Sequence, residues 1–278
     1  MHIREYSLPQ GWYPRDPDEI RRFLNSAVKK GQFRAAIAPH AGWFYSGRLA
    51  ADAVSSLDRA AQTIVILGGH LPGKNPPLFA MEDAVRTPFG PMPIDTDLRS
   101  ILLEKLSGKG DSFKDNTIEV LLPMARFFFP DAMLLWLRLP AEISSFDAGK
   151  TIAFAAQKLG RKINILASAD LTHYGHNYGF CPHGSGEKAL KWVKEVNDYN
   201  FIRAIEEGNA DEALKLAEID KASCSAGAVL GAMGFAEAAD LPKARLLGYS
   251  TSADITGENT PGSSVPASFV GYAALVFG

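Results

Sequence analysis

The sequence predicts an α/β fold, a single three-layer α/β/α domain over residues 1–278 with a mostly parallel central sheet. Three observations carry that expectation. Short apolar or β-branched runs alternate with amphipathic helical stretches along the chain, and neither an internal repeat nor a low-complexity linker interrupts them. Hydrophobic residues at 46% and charged residues at 22% of 278 are enough for one large buried core. Three of the apolar runs end at a histidine, a pattern expected where neighbouring parallel strands present their carboxyl ends to a ligand.

The N-terminal residues 5–15 contain Pro9, Gly11 and Pro14 around Trp12 and Tyr13 and read as an irregular lead-in. Pro17 and Asp18 start a helix with Ile20, Leu24 and Ala27 on its inner face and Arg21, Arg22, Lys29 and Lys30 elsewhere. The run Phe33, Ala35, Ala36, Ile37 is a strand that Pro39 terminates, because proline lacks a donor and pushes Ala38 toward extended geometry; His40 follows at once. A small-residue helix through Leu49, Ala50, Ala53, Val54 and Leu57 comes next. The second histidine strand, Thr63 to Leu67, is broken by Gly68 and Gly69 and followed by His70.

The stretch from Leu71 to Pro93 is crowded with proline and reads as a long loop holding short strands near Leu78 to Met81 and Ala84 to Thr87. A helix over Thr96 to Leu106, capped by Thr96, follows with Leu98, Ile101, Leu102 and Leu106 inward. Residues 115–129 form a buried helix in which Glu119 needs a partner. Ala132 to Leu139 is a strand and Ser145 to Leu159 an amphipathic helix. The third histidine strand, Ile163 to Ala167, runs into Ser168, Asp170, Thr172 and His173.

Beyond it, residues 174–186 are rich in aromatics and glycine, with His176, Cys181 and His183 as loop residues. A helix over Lys188 to Ile205 places Leu190, Val193, Val196, Phe201 and Ile205 in the core, and a shorter one spans Ala210 to Ala217. The helix over Ser223 to Ala239 carries internal glycines, which cost about 1 kcal/mol each relative to alanine and so imply close backbone approach. Two strands, Ala244 to Ser252 and Ser268 to Phe277, separated by a Gly/Pro/Ser loop, finish the chain.

The totals exclude several function classes. With 29 basic and 31 acidic side chains the formal charge is −2, so no basic surplus points to nucleic acid. No run approaches the roughly 18 apolar residues of a membrane span, and a cytoplasmic location is expected. Two cysteines, Cys181 and Cys224, make no disulfide framework. Cys224 stands at the start of the glycine-rich helix, where amide groups and the dipole favour a thiolate. Two imidazoles and one thiolate with positions left open suit iron, zinc or copper rather than magnesium or calcium.

Several phrases together are distinctive: I-A-P-H-A-G-W-F-Y-S-G (Ile37 to Gly47), V-I-L-G-G-H (Val65 to His70), V-R-T-P-F-G (Val85 to Gly90), T-I-E-V-L-L-P (Thr117 to Pro123), S-A-D-L-T-H-Y-G (Ser168 to Gly175) and G-Y-A-A-L (Gly271 to Leu275). In this order they resemble the Memo family, whose prokaryotic members are called AmmeMemoRadiSam system protein B. The family is similar in fold to the class III extradiol dioxygenases. That resemblance implies His40, His70 and Cys224 as metal ligands, His173 as the acid/base beside Asp170, and Tyr45 in the same pocket. The chain departs from the family in reading Asp115-Asn116-Thr117 where Glu-His-Ser is usual, and Gly68-Gly69-His70 where the phrase is one residue longer.

The expected function is therefore a non-haem metal protein with redox or dioxygen-related chemistry, holding Fe(II), with copper or zinc as alternatives. Catalytic roles fall to His173 and Asp170, and substrate contact to Tyr45, Trp43 and Glu119. The alternative is a non-catalytic module that binds a peptide or metabolite through the retained pocket; zinc-dependent hydrolysis is a third reading. A functional link to the other AmmeMemoRadiSam proteins, including a radical SAM protein, is implied by the resemblance alone.

Overall fold

Four parallel strands form the centre of the molecule, and their order brings the histidines together. The structure, a computed structural model, describes residues 2–27, 31–112, 115–259 and 264–278; Lys29 and Lys30 lie outside them. The elements begin with β1 (Ile3–Arg4), α1 (Pro17–Asn25), β2 (Ala35–Ala38), α2 (Trp43–Ser55) and β3 (Thr63–Gly68). Short strands β4 (Leu78–Phe79), β5 (Ala84–Val85) and β6 (Met92–Pro93) cross the proline-rich stretch. Then come α3 (Thr96–Lys105), β7 (Lys109–Gly110), α4 (Asn116–Glu119), α5 (Leu122–Phe128), β8 (Met133–Arg138), α6 (Ser144–Lys158) and β9 (Ile163–Ser168). The last part contains β10 (His173–Gly175), α7 (Glu187–Trp192), α8 (Asp198–Glu207), α9 (Ala210–Ile219), α10 (Ala226–Ala238), β11 (Ala244–Thr251), α11 (Ser252–Asn259) and β12 (Ser268–Phe277).

The strand order through the main sheet is β12-β2-β9-β3-β8-β4-β7. β2, β9, β3 and β8 are parallel, whereas β12 runs antiparallel to β2, β10 and β11, and β4 antiparallel to β8. The sheet is thus mixed, with a parallel centre and antiparallel flanks. β9 lies between β2 and β3, so the chain leaves three adjacent strands at one edge, through His40, Asp170 and His70 in turn. Every residue of β2, β3 and β9 is buried, as both-face coverage by helices requires.

Helix α2 packs on β2, β11 and β12, while α10 packs on β2, β3 and β9 and carries α6 against it. The α6/α10 contact is backbone on backbone. A Cβ at Gly149 would lie 2.0 Å from the Gly231 carbonyl oxygen, and one at Gly234 would lie 1.9 Å from that of Phe146. That approach offsets the helix penalty of the glycines.

Several elements differ from expectation. Asp95, not Thr96, caps α3: its carboxylate accepts from the Leu98 amide at 3.1 Å and from the Thr63 hydroxyl at 2.6 Å, tying the helix to the start of β3. The apolar run after Asp115 folds as two short helices, α4 and α5, not one. A π-helical turn, Val193–Asn197, joins α7 to α8; its extra residue shifts the inner face, so Val196 is 42% exposed while Asn197 and Asp198 turn inward. The segment before β12 contains α11, which its Gly/Pro/Ser composition hid. No helix among the described residues is long and apolar enough to cross a membrane.

Candidate metal centre and its cleft

The strand end at Pro39 leaves His40 fully enclosed. Its backbone amide donates to Asp170 Oδ1 at 2.7 Å, and its Nδ1 lies 3.0 Å from Ser168 Oγ. The ring is thereby fixed with Nε2 facing Cys224 Sγ at 3.3 Å. Asp170 Oδ2 is 3.8 Å from that same Nε2, so carboxylate and thiol meet one nitrogen. A Cys-His-Asp proton relay needs them on opposite nitrogens, and this arrangement is not one.

His70 is delivered differently. It adopts a left-handed backbone, φ 52°, immediately after Gly69. A Cβ at Gly69 would lie 2.2 Å from Ser225 Oγ, so only glycine lets the loop after β3 pass the segment carrying Cys224. His70 Nδ1 lies 3.1 Å from Asp115 Oδ2. Arg138 backs Asp115 at 3.6 Å and is itself held by Asp111 through bonds of 2.9 and 3.0 Å. A carboxylate on the far nitrogen of a ligating imidazole is the usual way to fix its tautomer and orientation.

Cys224 precedes Ser225, the N-cap residue of α10, and its amide donates to the Asp170 carbonyl at 3.3 Å. One ligand atom each from His40, His70 and Cys224 lie within 4.8 Å of one another, so the group could hold a metal ion. Burial alone would raise the Cys224 thiol, but the His40 and His70 imidazoles outweigh it and hold the thiol well below its usual range. Burial likewise disfavours a charged His70, yet Asp115 and Cys224 together push it up to about 10. Asp115, against its own burial, is brought down to about 2 by His70 and Thr117. A cysteine whose thiolate form is favoured, beside two histidines, matches the donor set that zinc, iron and copper take.

The two histidines open into a cleft of about 790 Å³, lined also by Trp12, Tyr45, Asn116, His173, Tyr178 and Tyr272. His173 donates from Nδ1 to the Leu171 carbonyl at 3.1 Å, which leaves Nε2 as the acceptor, and its ring meets Tyr178 edge-on at 5.0 Å. Asp170 is buried at the base, spending its side chain on the His40 amide.

Trp43 and Glu119 stand elsewhere. The Trp43 indole donates to the Val120 carbonyl at 2.9 Å and packs on Phe23. The Glu119 carboxylate accepts from the Ser7 amide at 2.8 Å, the Leu8 amide at 3.1 Å and the Tyr13 hydroxyl at 2.9 Å. A buried carboxylate needs donors, and the lead-in segment supplies them. Neither residue lines the cleft, but both hold the segment that brings Trp12 to it. Sequence reasoning missed Trp12, Tyr178 and Tyr272 as lining residues, and Asp115 and Ser168 as partners of the histidines; only the acidic Asp115 beside a helix start carried any signal.

Fold and centre together define an α/β protein with a His-His-Cys cluster at the carboxyl edge of its parallel strands. The model of the Memo-like protein family matches residues 4–276, and the chain belongs to that family. It is similar to a MEMO1 family protein of Thermococcus kodakarensis, 27% identical with 99% of each chain covered. Another, from Methanopyrus kandleri, is also 27% identical, covering 96% of this chain and 95% of its own. Among solved structures, an uncharacterized Escherichia coli K12 protein shares the fold, with a TM-score of 0.52 at 13% identity over 88% of this chain and all of that one.

Proposed function

We propose that the chain is a metal-dependent redox protein that holds Fe(II) through His40, His70 and Cys224 and acts on an organic substrate in the adjoining cleft. The observation that carries this reading is the 4.8 Å grouping of the three ligand atoms beside a large opening. Three protein ligands leave coordination positions free, as a reactive centre requires and a structural one does not. Bound iron would supply one-electron and dioxygen chemistry there.

The protein's own residues supply the rest. His173, with Nδ1–H tethered to Leu171, offers Nε2 to accept a proton from substrate in the cleft. Asp170 acts on geometry: through the His40 and Cys224 amides it keeps both ligand-bearing segments in register. Tyr45, Tyr178 and Tyr272 line the cleft that a substrate would enter. Metal analysis of anaerobically purified protein tests the reading. About one iron per chain supports it, zinc in its place moves the proposal to hydrolysis, and no metal above background after reconstitution overturns it.

A further inference from the structure

A second buried polar group stands behind the centre and takes no part in it directly. Asp198, the first residue of α8, is wholly buried. Its Oδ1 accepts from the Thr172 amide at 3.1 Å and from the Thr172 hydroxyl, and its Oδ2 accepts from the Tyr249 hydroxyl at 2.7 Å. Asn197 completes the network, donating from Nδ2 to Thr172 Oγ1 at 2.8 Å and to the Asp220 carbonyl at 2.9 Å. The π turn just before it is what turns both Asn197 and Asp198 inward. Such turns recur at functional positions.

The placement has a cost that packing alone does not explain. Among the described residues no cation partners this carboxylate, only hydroxyl and amide donors, and a buried carboxylate so held is expensive. Room is also reserved for it. A Cβ at Gly271 would lie 2.0 Å from Asp198 Oδ2, while the Gly271 backbone pairs with the same loop, accepting from the Leu171 amide at 2.8 Å and donating to the Thr172 carbonyl at 3.0 Å.

Thr172 is the residue between the two functional ends of that loop. On one side Asp170 takes the His40 amide through its side chain, and the Ser223 hydroxyl at 3.0 Å and the Cys224 amide through its carbonyl. On the other side stands His173. We propose that Asp198 is a positioning residue for the metal centre: by gripping Thr172 it sets the depth of the Asp170–His173 loop, and with it the seating of His40, Cys224 and His173. This rests on the reading of the cluster as a metal site.

Cobalt(II) alone, titrated into purified protein, probes the centre through its thiolate charge-transfer band. Thr172→Val and Asp198→Ala are expected to weaken cobalt binding about tenfold or more and to shift the band, as loss of an orienting group does elsewhere. Asp198→Asn, whose amide oxygen still accepts from both Thr172 donors, should recover most of that loss. Tyr249→Phe removes a donor from the same carboxylate on the side away from the loop, and should leave affinity within about twofold.

If Tyr249→Phe is as damaging as Thr172→Val, the effect is general loss of stability and the proposal fails. It also fails if Thr172→Val binds cobalt as the unaltered protein does. The imidazole ring resonances of His40 and His173 in metal-free protein give a second readout, expected to move in Thr172→Val and not in Tyr249→Phe. Should the unaltered protein bind no cobalt, the metal reading falls while these resonances still decide the role of Asp198. Should Asp198→Ala not fold, Thr172→Val decides it.

Discussion

The two walls of the cleft come from different halves of the sheet and differ in chemistry. The parallel half contributes His40 and His70 from strand ends, each ring fixed by an oxygen partner, Ser168 for one and Asp115 for the other. The antiparallel half contributes Ser252 and Thr256 from α11 and Ser268, Val270 and Tyr272 from β12: hydroxyls, a ring and an aliphatic side chain. No lysine or arginine is among the described residues that line the cleft. The candidate metal ligands are thus confined to the wall whose geometry is set by parallel strands, and the facing wall supplies shape, hydroxyls and, from β10, His173.

Removing a ligand breaks that asymmetry most completely. His40→Ala or Cys224→Ser leaves two protein donors, and stoichiometric metal binding is expected to be lost in either variant. Tyr272→Phe, on the other wall, should retain one metal per chain by elemental analysis. Loss of metal in Tyr272→Phe would mean that the walls do not divide the work as described.

Asp198 lies at the seam, bonded to Thr172 on one side and to Tyr249 of β11 on the other. Burial holds its carboxyl up at about 7 despite those donors. An acid whose folded pKa is raised binds its proton more tightly when folded, so the native state loses stability as pH rises from about 4 to 7 and levels off above. The span corresponds to a cost of up to about 4 kcal/mol at pH 8. Asp198→Asn carries no such charge. Its stability relative to the unaltered protein, from urea melts, should therefore rise between pH 5 and pH 8; a constant or falling difference refutes the assignment.

A smaller effect separates the two histidines. His40 is enclosed and needs no charged partner on Nδ1, whereas His70 is half-exposed, left-handed in backbone, and oriented by Asp115. Asp115→Asn should lower metal affinity by about tenfold, at the low end of the range for such orienting carboxylates. Ser168→Ala, which removes a neutral hydroxyl from a ring already enclosed, should cost less. Competition titrations against a chelator rank the two, and the reverse order would show that burial does not hold His40.

The same asymmetry decided what could be read from sequence. Pro39 and the Gly68-Gly69 pair are backbone signals, and they mark strand ends whatever the tertiary context. That three such ends lie side by side follows from β9 entering between β2 and β3, which the edge rule anticipates. Tyr272 and Ser268 sit in a strand that reads as continuous apolar sequence, and nothing local says that β12 runs past β2 to pair with β10 at the cleft. Trp43 and Glu119, an aromatic and a carboxylate beside the right phrases, lie outside the cleft: the Trp43 indole donates to the Val120 carbonyl, and the Glu119 carboxylate is taken up by the chain's lead-in. The π turn is invisible to a 3.6-residue pattern, which is why Val196 reads as core and Asp198 does not register at all.

The smallest expected effect lies in α11, on the antiparallel wall. Gly257 is inside that helix, its φ is not left-handed, and among the described residues no atom beyond its chain neighbours and its own helix backbone lies within 4 Å of where its Cβ would be. Alanine there should therefore stabilise the protein by about 0.5 to 1 kcal/mol, by restricting the unfolded chain and favouring the helix. In a chain of this length that is a rise in melting temperature of roughly 1 to 4 °C. Because Ser252 and Thr256 of the same helix face the cleft while no ligand does, metal affinity should stay within experimental error. A stabilised protein with altered cobalt affinity would show that α11 bears on the centre, and that the two walls are coupled through the backbone of β12.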